Sequence, residues 1–188
     1  MILRQAAEVF NRRGYFGTSL SDIMRATGLE KGGIYNHFAN KDELALQAFD
    51  YSSDLMRQAF AEALVGRFHG VDRLLAIIGV FQKIPEEFPV PGGCPVLNTA
   101  IEADDAHPQL REHARLAMEE WHDFIKRVIR RGMERGEIRP EVDPDMLATL
   151  LIATLEGAVM LSKLHGNQEY MNRTVNYLRT YLETAVRA

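Results

Sequence analysis

"TGLEKGGIYNHFANKDEL", residues 27–44, sets two adjacent glycines, a tyrosine, an asparagine and a histidine between two lysines. Backbone freedom, polar reach and positive charge in so short a run suit three chemistries: a phosphate-cradling loop, a metal site, or a helix that reads DNA. The first fails on spacing, because "GLEKGG" lacks the Gly-Lys-Ser/Thr order of a phosphate loop. The second fails on ligands, since His37 has no second histidine or carboxylate at ligand spacing on its helix. The third depends on what flanks the run.

Helical spacing flanks it on both sides. Ile2, Ala6, Val9 and Phe10 line one face of a helix over residues 2–13, with Gly14 as its stop. Thr18 or Ser19 can cap a second helix, "SLSDIMRAT", which ends at Gly28, where a steep turn favours positive φ. A short third helix is expected over residues 31–38, with Leu29 and Ile34 packing against Ile23 and Phe10. Ile34 and Phe38 use up its apolar side, so Tyr35, Asn36 and His37 turn their polar ends outward; the alternative for Tyr35 is a partly buried core aromatic. Asn40-x-x-Glu43 is an N-cap with a reciprocal partner, opening a long fourth helix to about residue 65. Three short helices with a tight glycine turn make a helix-turn-helix.

The remainder reads as all-helical too, with no run of period two. Helices are expected over about 71–84, 96–103, 108–135, 143–165 and 168–186, and "PEEFPVPGGCP", residues 85–95, is a break that cannot stay helical. The fold class is therefore all-α: a helix-turn-helix domain over residues 1–45 and a helical regulatory and dimerisation domain over 46–188. Net charge is −4, yet residues 1–41 carry +3 and leave −7 for the rest, the pattern of a basic-leaning module on an acidic body. One cysteine excludes an intrachain disulfide framework, and no secretory signal opens the chain, which suits the cytoplasm. Residues 146–161 are apolar but interrupted by Thr149, Thr154 and Glu156, and read as a buried helix rather than a membrane span.

Over "ILRQAAEVFNRRGYFGTSLSDIM", "TGLEKGGIYNHF" and "NKDEL", in order and without gaps, the sequence resembles the tetracycline-repressor (TetR) family of bacterial transcriptional regulators. The resemblance covers about the first quarter of the chain. It implies an N-terminal three-helix DNA-binding domain joined through the fourth helix to a C-terminal domain that dimerises and usually binds a small-molecule inducer. Three features depart from the family pattern. Met24 stands where alanine is common, and Glu30-Lys31-Gly32-Gly33 replaces a version bearing serine and threonine. The chain also starts at the first helix without a basic arm, which means either fewer phosphate contacts or a truncated start.

Groove chemistry divides the work. Lys31 and Asn36 can reach base edges, where a good bidentate contact discriminates by about 1–3 kcal/mol. Gly32 and Gly33 let the backbone approach the duplex. Thr18, Tyr35, His37 and Lys41 are expected on phosphates, positioning rather than specifying, and the N-terminal ends of the third and fourth helices add positive dipole ends.

In the body, the helix over 143–165 is apolar nearly all round and must be covered on two sides, one of them by a second copy. Ala153, Gly157 and Leu161, with Val175, Leu178 and Leu182 of the last helix, are the expected interface of a homodimer. Phe81, Phe88, Asn98, Trp121, His122, Ile125, Leu151 and Thr154 are expected around an inducer pocket, though each is also an ordinary core candidate. The loop over 85–95 could gate it. Cys94, just before a helix start, raises an alternative: a redox-sensing DNA-binding regulator with no organic inducer. No nucleophile–base pair, cofactor loop or metal constellation supports an enzyme, so no catalytic residue, cofactor or metal is expected. The partners expected are double-stranded operator DNA, a second copy of the chain and an inducer, with no membrane.

Overall fold

A computed structural model describes all residues, Met1–Ala188. It is all-α, as the spacing predicts. Its elements are α1 (Ile2–Arg13), α2 (Leu20–Thr27), α3 (Lys31–Tyr35), α4 (Lys41–Ala63), α5 (Gly70–Glu87), α6 (Pro95–Ala103), α7 (Pro108–Glu134), α8 (Pro144–His165) and α9 (Glu169–Tyr181). A π-helical turn, Leu182–Val186, ends α9, and the only β-type pairing is a single bridge between Ile138 and Arg187.

The chain forms two compact units, Met1–Met56 with Glu86–Ala117, and Arg57–Pro85 with Met118–Ala188. The first therefore holds more than the helix-turn-helix: it also takes in most of α4, the end of α5 and the loop after it, α6 and the beginning of α7. Residue 45, where the sequence suggests a boundary, lies inside this unit rather than at its edge.

Local chemistry explains the first unit's helices. Ser19, not Thr18, caps α2. Its hydroxyl accepts the Asp22 amide at 3.2 Å while Asp22 accepts the Ser19 amide at 3.0 Å. The Ser19 hydroxyl also donates to the Asp22 carboxylate at 2.6 Å, and this bond, then the one from the Ser19 amide, with Arg13 beside them, holds the Asp22 carboxyl below its usual pKa. Gly28 ends α2 in the left-handed conformation at φ 67°. Asn40 accepts the Glu43 amide at 2.8 Å to open α4, and Glu43 reaches back to the Ala39 amide at 2.6 Å, one residue further than expected. Ile23, Ile34, Leu44, Ala45 and Ala48 are buried beneath these helices.

α5 runs three residues past the expected stop. Pro85 sits inside it, and only residues 88–94 leave the helix. A proline so near a helix end removes one amide from the ladder and leaves little helix to disrupt. Phe60 lies at the centre of an aromatic cluster, with ring centroids 5.7 Å from Phe81 and Trp121 and 5.9 Å from Phe124. Asp143 caps α8, with Pro144 in the first turn. α8 packs on α9, and Leu147, Leu151, Leu155 and Val159 of the first and Met171, Val175 and Leu178 of the second are buried. By length and composition alone α8 could cross a bilayer, but half of that stretch is buried inside the protein.

Candidate nucleic-acid interface

α3 is five residues long, and the expected last turn, residues 36–38, is a turn rather than α-helix. Ile34 and Phe38 are its buried anchors. Lys31, Tyr35, Asn36 and His37 all stand exposed, and none of their side chains hydrogen-bonds within the chain. The Lys31 ammonium lies 5.7 Å from the Tyr35 ring centroid, a cation–π distance that lays the lysine along the outer face. So short a helix carries little macrodipole, and the side chains rather than its N-terminus must do the work.

The two glycines are informative because nothing inside the protein requires them. Neither has positive φ. A Cβ on Gly32 would meet no atom within 4 Å, and one on Gly33 would make ordinary contact with Leu29 at 3.5 Å. Glycine in a helix costs up to about 1 kcal/mol relative to alanine. A cost borne without an internal reason points to a partner whose surface comes close to the α3 backbone.

Two of the residues expected on phosphates are engaged elsewhere. Thr18 is 1% exposed and its hydroxyl donates to the Gly14 carbonyl at 2.6 Å, so it pins the α1–α2 turn instead of facing solvent. The Lys41 ammonium donates to the Tyr15 carbonyl at 2.6 Å and lies 4.1 Å from the Tyr15 ring centroid. Burial lowers its pKa, partly offset by the carboxylates of Asp42 and Glu102. Both side chains are already occupied inside this unit.

Sequence reasoning missed the polar residues that brace this unit. Asn11 is buried and donates to the carbonyls of Val90 and Gly93 at 3.2 and 3.0 Å. A polar residue four positions after Ala7, on the inward stripe of α1, was the available signal, since a buried amide must find partners. Asn98, expected in an inducer pocket, donates to the side-chain oxygen of Asn11 at 2.8 Å and to the Gly92 carbonyl at 2.9 Å. With Phe10, Phe49, Ser52 and Glu102 it lines a cavity of about 40 Å³, the size for ordered water rather than an organic ligand.

The other pocket candidates separate. Phe88 belongs to the first unit; Phe81, Trp121, Ile125 and Leu151 are buried in the second, and Thr154 is half-buried there. His122 is drawn to the flank of the second unit, where its Nε2 lies 3.0 Å from the Thr149 hydroxyl. Cys94 is fully buried and its sulfur accepts the Leu97 amide at 3.5 Å, capping α6.

The expected dimer residues need correction. Val175, Leu178 and Leu182 are buried within this one chain, in which α9 packs on α8. What remains uncovered is a stripe on α8 at alternating spacings of four and three: Met146, Leu150, Ala153, Gly157, Met160 and Leu164. All are exposed except half-buried Gly157; Leu161, beside it, is also half-buried, and Tyr177 of α9 is exposed as well.

Comparison with known proteins agrees with this arrangement. Residues 2–48 match the bacterial regulatory proteins of the tetR family, and residues 70–178 match the tetracyclin repressor-like C-terminal domain. A TetR transcriptional regulator from Chloroflexus aurantiacus J-10-FL is 50% identical, with a TM-score of 0.95 over 99% of this chain and 94% of that one. The HTH-type transcriptional repressor DhaR of Mycobacterium sp. (strain GP1) is 30% identical across 92% of this chain and 85% of its own length. The HTH-type transcriptional regulator LmrA of Bacillus subtilis (strain 168) is 28% identical across 86% and 84%. With both halves matched, and an exposed helix-turn-helix whose second helix presents free polar side chains, the chain belongs to the TetR family of DNA-binding transcriptional regulators.

Proposed function

We propose that this regulator is a homodimeric repressor, working in the cytoplasm, that leaves its operator when a small molecule enters the second unit. The observation that carries the DNA side is the outer surface of α3 and the turn after it, where Lys31, Tyr35, Asn36 and His37 are exposed and unengaged beside a Gly32-Gly33 backbone with no internal reason to lack side chains. Lys31 and Asn36 read base edges in the major groove; Tyr35 and His37 hold phosphates. The name of DhaR supports repression over activation.

The uncovered stripe on α8 supports the dimer. Its small centre, Ala153 and Gly157, admits close approach by the same stripe of a second copy. Two-fold symmetry would present the two α3 helices to half-sites about 34–36 Å apart. An inducer can release the operator only by binding one arrangement of the dimer better than the other. The buried position of Cys94 favours an organic inducer over the redox reading, because an oxidant has no approach to the sulfur.

The test is selection of genomic fragments by the purified protein, followed by binding at several salt concentrations. Affinity should fall steeply with salt. Asn36→Ala should relax preference at particular base pairs, and Ala153→Glu should give a monomer in sedimentation that binds the selected duplex at least tenfold more weakly. A wild-type protein that is monomeric and selects no fragment even in dilute buffer would overturn the reading.

A further inference from the structure

The end of α1 is fastened from a distant part of the sequence. After Arg13 the backbone leaves the helix through Gly14 at φ 75° and ψ 170°. The next two amides, of Tyr15 and Phe16, donate to the two oxygens of one carboxylate, Glu102 on α6, at 2.7 and 3.0 Å. Paired bonds from amides to an anion are charge-assisted and stronger than neutral ones. Gly14 makes the room, since a Cβ there would overlap the Glu102 carboxylate. One turn earlier on the same face of α6, Asn98 holds Asn11 on α1, so the two helices are tied at successive turns.

Tyr15 passes the constraint on. Its carbonyl receives Lys41, its ring lies beside the same ammonium, and its hydroxyl donates to the carboxylate of Asp42. Lys41 and Asp42 are the first two residues of α4, separated by five residues from the end of α3 at Tyr35. Glu102 is thus joined to the backbone that supports the recognition helix through a single intermediate residue.

We propose that Glu102 is a positioning residue for DNA recognition, which touches no DNA and acts by fixing the 14–16 turn on which Lys41 and Asp42 depend. The proposal rests on the DNA-binding reading of α3. Charge makes it unusually testable. Deleting an anion from a DNA-binding unit should, by electrostatics alone, strengthen its attraction to a polyanion. A loss of affinity on deleting Glu102 therefore reports lost positioning.

The experiment compares full-length wild type, Glu102→Gln and Glu102→Ala. Glutamine keeps the size and one acceptor but turns a donor toward the second amide. Three quantities are measured: exchange of the Tyr15 and Phe16 amide hydrogens, affinity for a duplex selected from genomic fragments by the wild type, and the unfolding transition of Trp121, the only tryptophan, which lies in the second unit. Amide protection and duplex affinity should both fall in the order wild type, glutamine, alanine, with about tenfold lost in affinity overall, while the Trp121 transition stays in place.

Unchanged or stronger duplex binding by the alanine variant would overturn the positioning role, and retained protection at both amides would overturn the cap. Affinity lost together with an earlier Trp121 transition would mark general destabilisation and also count against it. Should the wild type itself select no duplex, the DNA-binding reading falls and the proposal with it; a binding wild type beside an equally binding alanine variant defeats the proposal alone.

Discussion

The outer face of α3 and the end of α1 belong to the same compact unit and use polar residues in opposite ways. On α3 and the turn that follows it, the side chains of Lys31, Tyr35, Asn36 and His37 are left without hydrogen bonds inside the chain, and two glycines occupy helical positions that nothing internal demands. At the end of α1, Thr18, Tyr15, Lys41, Asn11 and Glu102 are all engaged with one another or with backbone. Both regions are rich in groups that suit a phosphate. Only the first has them available. The first set is open to a partner and the second is already engaged, a difference that a motif match cannot tell.

The sharpest way to break this contrast is Gly14→Ala. The backbone at φ 75° and ψ 170° is essentially closed to a residue with a Cβ, and that Cβ would also overlap Glu102. We expect the first unit to lose about 3 kcal/mol or more of stability, read as an earlier denaturant midpoint for backbone signals in residues 1–56. A variant as stable as the wild type would mean that the turn is not the fixed point described here.

Much of the fold was legible from the sequence because it is written in local signals. The caps Asn40 and Asp143, the stop at Gly28 and the 3.6-residue apolar spacing need only near neighbours to be read. What the sequence concealed was pairwise and distant. Asn11 and Asn98 are 87 positions apart, as are Tyr15 and Glu102, and no periodicity links them. The same limit produced the error at α9: Val175, Leu178 and Leu182 form a clean apolar stripe, but a stripe does not say whether its cover comes from α8 of the same chain or from a second copy. On α3 the outward set was legible because Ile34 and Phe38 consume the only apolar side. The internal bonds of Thr18 and Lys41 were not legible, because side-chain chemistry alone cannot report an existing partner.

A smaller effect sharpens the contrast from the other side. Gly32→Ala should raise the thermal stability of the protein by up to about 1 kcal/mol, since alanine is the better helix former and the new methyl meets nothing. The same change should weaken binding to the selected duplex. Stability and function moving in opposite directions is the signature of a residue kept for a partner, and an equal or stronger complex would show that the glycine backbone does not approach DNA.

The smallest expected effect concerns Tyr15, on the engaged side. Burial first, then the hydrogen bond to Asp42 and its negative charge, push the phenol up from 10.0 to about 12. Between these values the unfolded chain releases this proton while the folded chain keeps it. The contribution to stability is therefore complete below pH 10 and is lost as pH rises through about 12. Because the ring is only half-buried, solvent screening should hold the effect below about 1 kcal/mol. Tyr15→Phe should flatten the alkaline fall in melting temperature, and in an ultraviolet titration one of the six tyrosines of the wild type should ionise late. If all six ionise together near pH 10, Asp42 is not holding the phenol. Tyr15 would then lose one of the two bonds that join the end of α1 to α4, leaving only its carbonyl to Lys41.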